Sequence, residues 1–354
     1  MEKSLSYQDV YLCPKYSELR SRSEADISVE FLGRKFKAPW LPANMESVID
    51  IKQAKWLSEN DYFYIMHRFS DNAKFIKTAN EENWKTISIS VGVKEEDRRL
   101  LEWCDENDFR IDFVTIDIAH GHSILLKEMI AYIKKYMPIE IKVIAGNVAT
   151  PEAIRDLTDW GADAVKIGIA GGAACSTKHQ TGFHVPMFSC VKNCVAETML
   201  RVAHQNFVKR KVLEDFPDYK ADFPRLIPII ADGGVRENGD IPKALVAGAT
   251  MVMAGGLFAA CIDAPGENIY GGVMSVNPKI PPPPIIAKKY HGSASAKQKG
   301  EHKHVEGFEI EIPCNGLTYE SKYQELTESM KSAVSYAGGK DLSAFKEVAY
   351  ITIK

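Results

Sequence analysis

The chain has 354 residues, a formal net charge of −3 and 45% hydrophobic residues. A charge so near neutral implies no basic face, which argues against nucleic acid as a main partner. No segment approaches the roughly 18 apolar residues of a membrane span, and the start, "MEKSLSYQDVYL", has no signal-like apolar run, so the expectation is a cytoplasmic protein with no membrane partner.

Strand-like and helical stretches alternate along the chain. Apolar, β-branched runs fall at 40–45, 62–66, 86–91, 112–119, 139–146, 162–169, 225–231 and 250–256. They read as strands buried on both faces. Between them, "TPEAIRDLTDWG" carries the clearest helix signals: Thr150 as N-cap, Pro151 at the first helical position and Gly161 past the end. "ENGDIPKALVAGA" repeats the scheme less cleanly. Eight such strands alternating with helices predict an α/β fold, a single-domain (β/α)8 TIM barrel over residues 1–354. A doubly wound open sheet is the alternative. Two stretches break the rhythm. "VKRKVLEDFPDYKADFP" (208–224) delays the seventh strand, and the stretch from Ala264 to Lys303 contains "PPPP" at 281–284. A final helix is expected over Ser321 to Tyr336.

A barrel of this type gathers its chemistry at the C-terminal ends of its strands. Asn44, His67, Arg68, Asp117, His120, Gly146 and Asn147 fall there, as do Cys175, "DGG" (232–234) and "GG" (255–256). Cys175 follows the sixth strand in "GIAGGAACSTK". A thiolate there could attack an electrophilic carbon, with Thr177 or Lys178 tuning it and glycines admitting a ligand to the backbone. Alternatively, Cys175 fills space under a soft loop. The two glycine pairs could bind a phosphate through backbone N–H groups, or could be tight turns. "DIAHGHS" (117–123) offers two histidines as metal ligands without an evident third partner, or two ordinary loop histidines. The seven cysteines are odd in number and have no CxxC spacing, which points to reduced thiols. Cys190 and Cys194 could share a helix face, but a metal there would need further ligands.

"PANMESV", "NDYFYIMHRF", "TIDIAHGHS", "VIAGNVATPE", "GADAVKIGI", "IIADGG", "MVMAGGLFA" and "AVSYAGGKDL" stand in collinear order across nearly the whole chain. Together they closely resemble the IMP dehydrogenase/GMP reductase family, on its reductase branch. The resemblance implies a (β/α)8 barrel, usually a homotetramer, that converts GMP to IMP and ammonia with NADPH. Cys175 would form a covalent thioimidate at purine C2, with Thr177 and Glu306 relaying the proton to ammonia. Asn147, Asp232, Gly233, Gly234, Gly255, Gly256, Tyr290, Gly292 and Ser293 would hold the nucleotide. Asp232 would sit at the ribose hydroxyls, and the glycines with Tyr290 round the phosphate. Arg68, Asp117 and His120 would serve the cofactor. Backbone carbonyls of Ala170, Gly172 and Cys175 would form a monovalent-cation loop for K+. Residues 264–306 would be a mobile flap. That flap is short and lacks the Arg-Tyr pair of the dehydrogenases, and only a short loop follows the second strand, with no inserted regulatory (CBS) domain. Both features favour the reductase over two alternatives: an IMP dehydrogenase-like enzyme on another purine nucleotide, and a non-catalytic purine-nucleotide-binding paralogue.

The cysteine loop departs from the family pattern G-I-G-P-G-x-x-C. Ala170 replaces a glycine, Gly171 a proline and Ala173 a residue that is often serine. An alanine is strained where φ is positive, and loss of the proline loosens the unbound loop.

Overall fold

A computed structural model describes residues 4–215, 226–272, 281–292 and 307–353. The chain opens with β1 (Val10–Leu12) and a hairpin, β2 (Val29–Phe31) and β3 (Arg34–Phe36). The barrel proper follows. β4 (Trp40–Pro42), α1 (Ile51–Glu59) and α2 (Asn72–Glu81) lead to β5 (Ser88–Val91), α3 (Glu95–Glu106), β6 (Phe113–Asp117) and α4 (Ile124–Tyr136). Next come β7 (Lys142–Val148), α5 (Pro151–Asp159), β8 (Ala164–Ile167), the short α6 (Thr177–Thr181) and the long α7 (Met187–Asp215). β9 (Ile229–Asp232), α8 (Asp240–Val246), β10 (Met251–Ala254) and α9 (Gly256–Ala259) complete the alternation. Three antiparallel strands, β11 (Asn268–Tyr270), β12 (Ile285–His291) and β13 (Glu309–Pro313), form a separate sheet. α10 (Tyr319–Tyr336) and β14 (Tyr350–Thr352) end the chain. β14 pairs with β1, which ties the two ends of the chain together.

Seven strands form one parallel sheet in the order β4-β10-β9-β8-β7-β6-β5. It curls as a barrel does, and the fold is a TIM-barrel-like α/β single domain. The strands lack polar alternation because helices cover one face and the barrel interior fills the other. Every residue of β5, β8 and β10 is buried.

The expected strand at 62–66 contributes one bridge and no ladder. Met66 pairs with Ile89 in parallel, and Phe63, Tyr64 and Ile65 are buried beside it. Side-chain hydroxyls supply bonds that a ladder would have made. Ser90 Oγ donates to the Met66 carbonyl at 2.6 Å, and Tyr64 Oη donates to the Thr86 carbonyl at 2.8 Å. The residues from His67 to Asp71 then lead straight into α2, so no domain is inserted there.

Several sequence signals translate directly into structure. Thr150 caps α5 through Ala153 N, and Gly161 adopts φ +104° just beyond it. The α2 N-cap, Asp71, accepts from Lys74 N, and Ser123 caps α4. The 208–224 stretch differs from expectation in part. Its first half continues α7 as helix to Asp215, and residues 216–225 lie outside the described residues.

The hairpin β2–β3 packs aromatic rings against the strand starts. Phe63 meets Phe31, Phe36 and Phe113 at centroid distances of 4.9, 5.2 and 5.2 Å. α10 locks on through Tyr323, which meets Tyr62, Phe258 and Trp56 at 4.4, 5.2 and 5.4 Å. Phe63→Ala is expected to cost about 3–5 kcal/mol, because the void would be lined by rings that cannot all collapse inward. Urea unfolding should show a lower midpoint with an unchanged slope.

Candidate active site

A cavity of about 680 Å³ opens at the C-terminal ends of the barrel strands. That volume suits a small-molecule ligand. Its wall includes Asn44 after β4, Arg68 and Phe69 after residues 62–66, and Asp117 at the end of β6. Asn147 of β7, Lys166 of β8, the cysteine loop, Asp232 of β9, Tyr290 of β12 and Gly292 complete it. A second cavity of about 560 Å³ shares Phe69 with the first and is walled by His67, Gly266 and His291.

The floor of the main cavity is a charged network on four adjacent strands. Lys166 Nζ lies 2.9 Å from Asp117 Oδ1 and 2.7 Å from Asp232 Oδ2. Asn147 Nδ2 donates to the same Asp232 oxygen at 2.8 Å and to the Gly168 carbonyl at 2.9 Å. Asp117, Gly146 and Lys166 share one level of the sheet. Gly146 is what lets the lysine reach across β7. A Cβ there would stand 2.5 Å from the Lys166 carbonyl oxygen and 2.8 Å from the Lys166 Cβ. Burial pushes the Asp117 carboxyl up, but Lys166 outweighs it, with help from Arg68 and Asn44, and holds the group below its ordinary range. Burial pulls Lys166 down, and the two carboxylates outweigh that and hold it above its ordinary value. The lysine is therefore an ammonium ion.

Cys175 stands on the cavity wall with its thiol 3.2 Å from Thr177 Oγ1. Thr177 is the first residue of α6. The loop before it is closed by a turn from Cys175 N to the Gly172 carbonyl and by Gly234 N donating to the Gly171 carbonyl. Ala170 has φ +58°, so the alanine occupies the left-handed conformation that the family's glycine would take without strain. Cys175 also forms an antiparallel bridge with Gly307. Phe308 N donates to the Ala174 carbonyl at 2.8 Å, and Gly292 N donates to the Phe308 carbonyl at 3.2 Å. Both chain ends flanking residues 293–306 are thus pinned beside the cysteine. Ser293 and Glu306 themselves lie outside the described residues, as does much of the 264–306 flap.

The remaining glycines explain themselves by close approach. At Gly255 a Cβ would lie 2.3 Å from Tyr290 Oη, and at Gly292 it would lie 2.8 Å from the Ala174 carbonyl oxygen. Gly233 has φ +102°, and its Cβ would meet Gly171 at 2.9 Å. Gly256 opens α9 onto free space. The N-terminal segment braces this region. Tyr7 is fully buried against Gly234, and Gln8 Nε2 donates to Asp240 Oδ2 at 3.0 Å.

Most of the sequence-derived residues converge here. His120 does not line the cavity and is exposed. His122 Nε2 is engaged by Asp156 Oδ2 at 2.8 Å and lies against the Trp160 ring, which makes it a structural histidine. Among the described residues, no group of three or more His, Cys, Asp or Glu side chains could hold a metal ion. All seven cysteines are free. The sequence reading missed Lys166. Its signal was a lone charge in the otherwise apolar "ADAVKIGI", which a buried strand carries only when the charge is paired.

Among the described residues, three buried polar atoms on cavity-lining residues have no hydrogen-bond partner: Asn44 Nδ2, Arg68 Nε and Asn147 Oδ1. Such atoms cost free energy until a ligand or water satisfies them. With the two partly open carboxylates, they suit a polar ligand with several hydroxyls.

A TIM-barrel-like α/β fold with a thiol, a threonine and paired carboxylates at one strand-end cavity defines an α/β barrel protein with a polar small-molecule site. The comparisons narrow this. The sequence model described as the IMP dehydrogenase / GMP reductase domain matches residues 4–353. The chain is 43% identical over 351 residues to a GMP reductase of Oenococcus oeni, covering 98% of this chain and 96% of that one. It is 42% identical over 349 residues to a GMP reductase of Leptothrix cholodnii, covering 98% and 95%, and 41% identical over 354 residues to one of Staphylococcus carnosus, covering 99% and 97%. The chain belongs to the IMP dehydrogenase/GMP reductase family.

Three substitutions at two positions test this geometry. Gly146→Ala should destabilise by about 1–3 kcal/mol, because the added methyl meets backbone that must shift; thermal melting reads it. Ala170→Gly should leave the melting temperature unchanged or slightly higher, since relief of left-handed strain offsets the chain entropy of glycine. Ala170→Val at the same position should lower it.

Proposed function

We propose that the protein reduces GMP to IMP and ammonia with NADPH. One observation carries this reading. The only cysteine lining the described cavity has its thiol against Thr177 and its backbone bridged to Gly307, the residue after Glu306. The thiol and the threonine hydroxyl are thereby neighbours, and the described chain resumes beside them at Gly307. Relatives that match over nearly their whole length and are named GMP reductase support the same substrate.

In this reading the Cys175 thiolate adds to C2 of the guanine, forming a C–S bond. The C2 amino group leaves as ammonia, protonated by the Thr177 and Glu306 relay, and a covalent thioimidate remains. NADPH, when bound, would supply the hydride for C2, and breaking the C–S bond to Cys175 then releases IMP and regenerates the thiolate. Asp232, held by Asn147, accepts from the ribose hydroxyls. Gly233, Gly234, Gly255 and Gly256 bring backbone close to the phosphate, with Tyr290 beside Gly255. Gly292 and Ser293 are assigned to contact with the base. Asp117 and Arg68 face the cofactor, and the adjoining second cavity gives a long ligand room to extend. The carbonyls of Ala170, Gly172 and Cys175 are assigned to K+, although Gly172 already accepts from Cys175 N. A homotetramer and a cytoplasmic location complete the proposal. Among the described residues, no helix is long and apolar enough to cross a membrane.

Purified protein mixed with NADPH and GMP should lose absorbance of the reduced nicotinamide and release ammonia. Cys175→Ala should abolish the reaction while GMP still binds. Reduction of NAD with IMP, and none of the forward reaction, would instead make the protein a dehydrogenase. Binding of GMP without turnover by the wild type would make it a non-catalytic paralogue.

A further inference from the structure

Lys166 has no role in the reaction just described, yet it sits between two of its binding groups. Its side chain is 3% exposed, whereas Asp117 and Asp232 are 14% and 21% exposed. The carboxylates thus stand between the ammonium and the cavity. Lys166 makes its closest approach to Oδ1 of Asp117 and to Oδ2 of Asp232. One carboxylate belongs to the nucleotide half of the cavity and the other to the cofactor half.

We infer that Lys166 is a positioning residue that keeps both carboxylates ionised and aimed, so that one buried ammonium sets the affinity of both half-sites. This rests on the GMP and NADPH reading for the identity of the two ligands. The physical reason is the pairing of buried charges. Two carboxylates at one buried site repel, and without a cation one of them takes up a proton. A protonated carboxyl is a poorer acceptor for ribose hydroxyls than a carboxylate. Asn147 fixes Asp232 from β7, but it is neutral and cannot replace the charge. Arg68 and Asn44 act on Asp117. Tyr7 and Tyr290 sense the charge of Asp232, and burial holds both phenols neutral. Lys166 alone serves both acids. Gly146 belongs to the same device, since it vacates the space over which the lysine crosses to Asp117.

The free protein gives a ligand-independent readout. In the wild type the Asp117 carboxyl lies below its unfolded value, so its contribution to stability is present above that value and is lost as pH falls through the folded one. In Lys166→Met the folded Asp117 carboxyl moves above its unfolded value, so stability is lost as pH rises through it. The deficit of the variant relative to wild type should therefore grow between about pH 4 and 8, measured by urea unfolding. A role in packing alone would give a deficit independent of pH and would overturn the inference. By calorimetry at neutral pH, Lys166→Met should weaken GMP and NADPH binding alike, each by about tenfold or more. Lys166→Arg should restore most of both. Loss of one ligand only would overturn the shared role. A wild type that shows the pH-dependent gap to its variant but binds no GMP would sink the reading of the preceding subsection and leave the lysine's role standing. If Lys166→Met does not fold, the double variant with Asp117→Asn removes one charge of each sign. It should fold at neutral pH, bind GMP and lose the cofactor; failure to fold at any pH would overturn the inference.

Discussion

The site depends on one ion triad, Asp117–Lys166–Asp232, built on the C-terminal ends of adjacent strands. Burying an ammonium ion is costly unless its partners are close and fixed. The barrel fixes them by register. Asp117, Gly146 and Lys166 stand level on β6, β7 and β8, and Asp232 ends β9. A slip of one residue in any of these strands would turn its side chain to the other face of the sheet. The triad is thus both a product of the sheet and a reason for its register to be exact. The glycines follow from the same crowding. Gly146 makes room for the lysine stem, and Gly168 has φ +135° with its missing Cβ directed at the Asp232 carbonyl oxygen.

Around this floor the cysteine loop is shaped by backbone bonds to remote segments. Gly171 is held by Gly234, and Ala174 by Phe308. The loss of the family's glycine and proline at 170 and 171 is therefore met by anchorage from two directions. Ala170 takes the strained conformation all the same. Its strain of roughly 1–2 kcal/mol is small against the bonds that hold the loop closed.

Much of this was legible in the chain. The run "ADAVKIGI" gave β8, and "TPEAIRDLTDWG" gave α5 with its cap and its terminal glycine, because strand burial and helix capping are local signals. The strand at 62–66 was half legible. Its apolar composition identified buried residues, but composition cannot show that Ser90 and Tyr64 hydroxyls would take over hydrogen bonds from the ladder. Cys175, Asp232 and the glycine pairs were found from their position after strands. Lys166 was not, because a charge within a strand reads as an exposed face until its partners are known, and these lie 49 and 66 positions away along the chain. His120 shows the reverse: its place after a strand is local, while its exposure is a property of the fold.

The N-terminal segment carries a different implication. Tyr7 is packed against Gly234, and Gln8 is bonded to the helix that follows, although these residues are separated by 226 positions from the loop they support. The same segment continues into β1, whose partner β14 is the last strand of the chain. The loop after β9 therefore depends on segments from both flanks of the barrel. A chain emerging from synthesis can hold every barrel strand and still lack the fastened brace beneath its glycine turn, because β14 follows all of them in sequence.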